Sequence, residues 1–320
     1  SSAILVFMRL GIRYTLMLAV LSLHLHVSAQ DTVTVVLSES GGVYSEFASQ
    51  LGTALGLGNG SKAAMRVVNL NALKDEPAGR GGQGQVWVAV GTPAMTALAR
   101  KPPNAPVMNV LVPRASFRSL ARSGGRTLDS KNFSAVYFDQ PWSRQLALIQ
   151  NAVPGRRVGI LLGKDSADLL GSLQAAAREA NMVVNIETVA EEADLLPSLK
   201  RLLPNSDALL AVPDAAIYNR SNIATILLTS YRAKVPLFGF SSSYVKAGAL
   251  AAVFSQPGQI AQQVAEIIQK LPASGSLPAP QSPKYFSIAV NDQVRLSLEL
   301  TLADEAQLLQ KLKQVPEGGP

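Results

Sequence analysis

Hydrophobic positions along this chain form short β-branched runs that alternate with stretches of helical period. The first run, TVTVVL (32–37), precedes Phe47, Leu51 and Leu55, whose i, i+4, i+8 spacing marks one helix face. MRVVNL (65–70), VWVAV (86–90), VMNVLV (107–112) and FSAVYFD (133–139) follow, with a helix predicted from Pro93. Apolar runs of this length joined by helices predict a parallel sheet covered on its faces. After a helix over 142–152 the pattern restarts with RVGILLG (157–163), and Leu169, Leu173 and Ala176 then share a face. MVVNIETV (182–189), a helix over 195–203, DALLAV (207–212), a helix over 221–232 and VPLFGF (235–240) complete a second set. Beyond it lie a short strand in GALAAVF (248–254) and a helix with Ile260, Val264, Ile267, Ile268 and Leu271 on one stripe. A Pro/Ser-rich connection (272–283) leads to a last strand in KYFSIAV (284–290). DEAQLLQKLKQ (304–314) reads as a polar, peripheral helix with a loose tail.

This pattern predicts an α/β fold of two Rossmann-like lobes with parallel sheets, joined by a multi-crossing hinge. Residues 31–138 plus about 256–282 form the first lobe, and 139–255 plus about 283–300 the second; 301–320 lie outside both. A length of 320 residues suits two domains of ordinary size. The first 29 residues read as a cleavable signal peptide: Met8 as start, basic Arg9 and Arg13, an apolar core over 15–27, and a cut after Ala29. Cleavage changes the chemistry available. The two histidines, His24 and His26, fall in the removed segment, and the sequence has no cysteine. Triads built on histidine or cysteine, zinc sites of His and Cys, disulfides and a lipid anchor are thereby excluded from the mature chain. A soluble exported chain without a tether points to a Gram-negative periplasm. Without Arg9 and Arg13 the formal charge falls from +7 to +5, and no basic run is interleaved with aromatics, so nucleic acid is not an expected partner.

Ligands of open α/β sheets sit beyond the carboxyl ends of the strands, so those positions carry the candidate chemistry. They hold Glu39, Ser40 and Tyr44 after the first strand, Gly91 and Thr92 after the third, Asp165 and Ser166 after 157–163, Asp214 after 207–212, and Ser241 and Ser242 after 235–240. Hydroxyls, carboxylates and backbone N–H groups at helix starts suit a small polar ligand. Each also has an ordinary explanation: Thr92 before Pro93, Ser166 and Ser241 are good N-caps, and Asp closes many βα turns. Gly163-Lys164 lacks the glycine and hydroxyl partners of a phosphate loop, since Val158 and Asp165 occupy those positions. GRGGQGQ precedes a strand rather than following one and reads as a connection. Arg114, Arg118 and Arg122 recur every four residues, one face if helical, and suit either solvent or an acidic ligand or docking partner.

AVYFDQPWSRQLALIQNAVPGRRVGILLGKDS, DALLAVPDAAIYNRSNIATILLTSYRAKVPLFGFSSSYVKAGALAAVF and GQIAQQVAEIIQKL resemble the ABC-transporter substrate-binding proteins related to tryptophan- and tyrosine-binding proteins. GTPAMTALA in the first lobe fits as well. The resemblance implies a type I periplasmic-binding-protein fold with a three-stranded hinge, and binding positions at Thr92, Ser166, Asp214, Ser241 and Ser242. VPRASFRSLARSGG replaces the Asp-Pro turn of such relatives, SESGGVYSE departs from their first loop, and GKDS is short, so half of an amino-acid frame has changed. The expected function is solute binding for an ABC importer, without cofactor, as a monomer that meets an inner-membrane permease. A periplasmic sensor meeting a membrane partner is the alternative, and a hydrolase using Glu39, Asp165 and Asp214 a remote one.

Overall fold

A computed structural model describes residues 32–57, 64–75, 86–123 and 131–317. The proposed signal peptide and the GRGGQGQ connection lie outside the described residues.

Two sheets organise the chain. The first has the order β2-β1-β3-β4-β5, all parallel, from β1 (Thr32–Leu37), β2 (Ala64–Asn69), β3 (Val86–Val90), β4 (Val107–Val112) and β5 (Phe133–Tyr137). The second has the order β11-β10-β9-β8-β6-β7, from β6 (Arg157–Leu162), β7 (Val183–Thr188), β8 (Ala208–Leu210), β9 (Leu237–Gly239), β10 (Ala251–Phe254) and β11 (Ser287–Val290). Only β11 is antiparallel. Strands β3, β4, β5 and β8 are buried almost throughout, which is why their sequence is apolar without alternation.

The helices are α1 (Gly42–Ala54), α2 (Thr92–Arg100), α3 (Arg114–Ser123), α4 (Trp142–Ala152), α5 (Leu170–Glu179), α6 (Leu195–Leu202), α7 (Ile223–Arg232), α8 (Ser242–Ala247), α9 (Pro257–Gln269), α10 (Asp292–Ser297) and α11 (Glu305–Lys313). Although α9 follows a strand of the second sheet, it packs on α1: Ile260, Ala261 and Val264 join Phe47 and Leu51 in the core of the first. Burying each of the larger of these side chains contributes about 1.5–3 kcal/mol, enough to hold the helix to a distant sheet. The helix expected to be peripheral, α11, is not: Leu308 and Leu312 are fully buried in the core of the second sheet. Their i, i+4 spacing is an apolar stripe too narrow to stand out among the seven polar residues of 304–314.

The chain passes between the sheets three times: from β5 to α4, from β10 to α9, and from Gln281, which bridges Val136 beside β5, to β11. Polar side chains bind these crossings to one another. Gln140 Nε2 donates to Ser255 Oγ at 2.8 Å, and Ser255 Oγ donates to the Tyr285 carbonyl at 2.7 Å. Buried Arg144 donates through Nη1 to Gln140 Oε1 at 2.6 Å and to the Pro283 carbonyl at 3.0 Å, with its guanidinium 3.9 Å from the Phe286 ring centre. Burial lowers its pKa to about 10, while Glu317, 3.8 Å away, opposes that shift. From the first sheet, Arg114 Nη2 donates to Ser282 Oγ at 2.6 Å and the Arg114 N–H donates to Asp139 Oδ1 at 2.7 Å. Two arginines thus hold the crossings, one from each side.

Candidate functional site

The carboxyl ends of β1 and β3 meet around Ser38. Its Oγ donates to the Val90 carbonyl at 2.7 Å and accepts the Ala94 N–H at 3.0 Å. The start of α2 is therefore capped from a different strand. Thr92 does not act as the N-cap; it is the first helical residue, after Gly91. Gly91 has φ +91°, and a Cβ there would lie 2.7 Å from Ser38 Oγ and 3.0 Å from the Tyr44 ring. Only glycine admits both the dihedral and the approach. Half-buried Thr92 is left with a hydroxyl that bonds no described residue. Glu39 and Ser40 are exposed on the loop before α1, and Tyr44 is half-buried against the core.

In the second sheet, Ser166 and Asp214 come together as a closed pair. Asp214 Oδ2 accepts the Ser166 hydroxyl at 2.7 Å and its N–H at 3.1 Å, and Oδ1 accepts the Ala216 N–H at 3.0 Å. Ser166 Oγ also accepts the Gly163 N–H at 3.0 Å. A Cβ at Gly163 would stand 2.7 Å from Asp214 Oδ2, so this approach also needs glycine. Ser166 is 0% and Asp214 4% exposed, which leaves almost no surface for a ligand. The pair ties two strand-end loops together. It gives the hydrolase reading no accessible base, and Glu39 and Asp165 remain exposed on separate loops.

The serines after β9 are arranged differently. Ser241 occupies the N-cap position of α8, yet its side chain makes no cap bond. Ser241 and Ser242 are half-buried, and neither hydroxyl bonds a described residue. Behind them Phe240, half-exposed, lies 4.5 Å from the Tyr244 ring, and Tyr218 meets both edge-on at 6.1 and 6.2 Å. The Tyr218 hydroxyl is buried without a hydrogen-bond partner; burial, then Tyr244 and Asp214, pushes its pKa up and keeps it protonated. Neither Tyr218 nor Phe240 stands out in the sequence as a candidate site residue.

The three arginines do fall on one helix, α3, and line a cleft of about 290 Å³ with Trp142 and Asp168. Only part of the stripe is free. Arg114 is engaged with Ser282 and stands 4.9 Å over the Tyr137 ring, and Arg118 lies close enough to the Tyr137 hydroxyl to affect its titration. Burial raises the Tyr137 pKa, and Arg118 and Arg114 work against the shift. Asp139 is likewise raised by burial, despite the Arg114 N–H bond. The sharp end of β4 makes this placement: the register shifts between Val110 and Val112, with Leu111 at φ +51°.

Two parallel α/β sheets, bound by three crossings and rimmed with unengaged hydroxyls at their strand ends, define a two-lobed solute-binding fold of type I. The chain belongs to the ABC transporter substrate binding protein family, whose model matches residues 67–312. Among solved structures it is similar to a conserved domain protein from Vibrio cholerae, with 20% identity, TM-score 0.59, and coverage of 88% of this chain and 98% of that one. An ABC domain from Streptococcus pneumoniae in complex with L-Trp matches at 17% identity and TM-score 0.57 over 87% and 97%. A ligand-free, open substrate binding protein with adhesive properties from Clostridium difficile matches at 15% identity and TM-score 0.65 over 85% and 95%. No curated protein sequence matches this chain.

Proposed function

We propose that this chain is the periplasmic solute-binding component of an ABC importer, and that it holds a small polar, amino-acid-like ligand between its lobes without chemical change. The observation that carries the reading is the set of unengaged, half-buried hydroxyls at strand ends of both sheets, Thr92 on one and Ser241 and Ser242 on the other. A ligand carboxylate has the N-terminus of α1 available, where the N-cap residue, Gly41, has no side chain to cap it. An amino-acid ligand is in keeping with the L-Trp held by the pneumococcal relative, and Phe240 offers an aromatic face beside the serines. Ligand bridging both lobes stabilises the closed form through its higher affinity for it. The closed form, as a monomer, then presents itself to the permease. Sensing through the arginine stripe is the weaker reading, because Arg114 is spent within the fold. Mass spectrometry of what copurifies from periplasm, followed by calorimetry with that solute, tests the proposal. One small solute bound per chain supports it; no binding to any solute across amino acids, small carboxylates and peptides contradicts it.

A further inference from the structure

The cleft beside α3 carries opposite charges on its two walls. One wall, fixed to the first sheet through buried Phe117, presents Arg118 and Arg122. The other, fixed to the second sheet through buried Leu173 and Ala177, presents Asp168 and Glu179. The side chains of Arg122, Asp168 and Glu179 make no hydrogen bond or ion pair with another described residue. The remaining charged groups of the cleft are engaged: Arg114 with Ser282, Asp139 with the Arg114 N–H, and Glu317 beside Arg144. Glu179 is the last residue of α5, where a carboxylate opposes the helix dipole. Its local effect on the helix is unfavourable, so local structure does not account for it.

Unpaired opposite charges on two bodies that swing about a common hinge attract one another more strongly as they approach. In solution the attraction is screened beyond roughly 10 Å at 0.1 M salt. It therefore acts on nearly closed lobes and weakens with salt. We propose that Arg118 and Arg122 pair across the cleft with Asp168 and Glu179 as the lobes close, forming an electrostatic latch that stabilises the closed form alongside the ligand. This rests on the solute-binding reading only in taking the lobes to swing, and it is tested without ligand, so it stands or falls independently of any solute screen.

The chain has no cysteine, so Ser49→Cys on α1 and Gln174→Cys on α5, both exposed, accept spin labels for pulsed distance measurement on ligand-free protein. The distribution is expected to move to longer distances in high salt. Asp168→Asn with Glu179→Gln is expected to give the long distance already at low salt. Asp168→Lys with Glu179→Lys should lengthen it further, and adding Arg118→Glu with Arg122→Glu should restore the short one. Circular dichroism checks that each variant is folded, and the Asn/Gln pair keeps the test open if the reversed charges prevent folding. A distance that does not respond to the acid-side variants overturns the proposal, whatever its response to salt.

Discussion

At Asp214 two loops depend on one carboxylate. Asp214→Ala leaves the Ser166 hydroxyl, the Ser166 N–H and the Ala216 N–H without their acceptor. Each buried donor left unpaired costs on the order of 1–3 kcal/mol, so a loss of about 3 kcal/mol is expected in urea unfolding. Ser241→Ala with Ser242→Ala removes no bond within the described protein, and its unfolding midpoint should stay within about 0.5 kcal/mol of the parent. An equal loss in both variants would mean that the serines are structural too. The two sites had looked alike as sequence, because each is a polar side chain just after an apolar run. What separates them is the partner, which for Ser166 lies 48 residues away and leaves no local trace.

At the level of elements, α11 and α9 carry tests of their own. Leu308→Ala opens a cavity in the core of the second sheet and is expected to cost about 3 kcal/mol, within the range for buried leucines. A change near zero in thermal unfolding would return the helix to the periphery. On α9, Glu266 accepts from Lys284 Nζ at 2.8 Å and from the Tyr285 hydroxyl, tying that helix to the third crossing. The Lys284 and then the Tyr285 bond hold its carboxyl below the usual value. The contribution is therefore present above the unfolded pKa of about 4.3 and is lost as pH falls through the folded value. Melting curves between pH 6 and about pH 3 should show the parent losing more stability than Glu266→Gln over that window; parallel curves would remove the clamp. Most of this architecture was legible from period alone: β1, β3 and β4 coincide with their apolar runs. Short α10 escaped notice because its six residues bury none of their side chains. Tertiary caps such as Ser38 on α2 join residues 56 apart, beyond any local motif.

For the whole molecule the hinge decides the behaviour. Arg144→Met preserves bulk but removes the donor to Gln140 and Pro283, so two crossings lose their link. Apolar replacement of a buried charge can leave stability nearly unchanged. The expected signature is a broader inter-lobe distance distribution between labels at Ser49→Cys and Gln174→Cys; an unchanged width would assign Arg144 to packing alone. Solute binding between the lobes is the central claim, and thermal shift of the parent against Thr92→Ala/Ser241→Ala/Ser242→Ala tests it most directly. The ligand-free melting temperatures should agree, while the rise produced by the copurifying solute, or by the best amino acid of a panel, should fall sharply in the triple variant. An equal rise in both proteins would place the solute elsewhere and contradict the account.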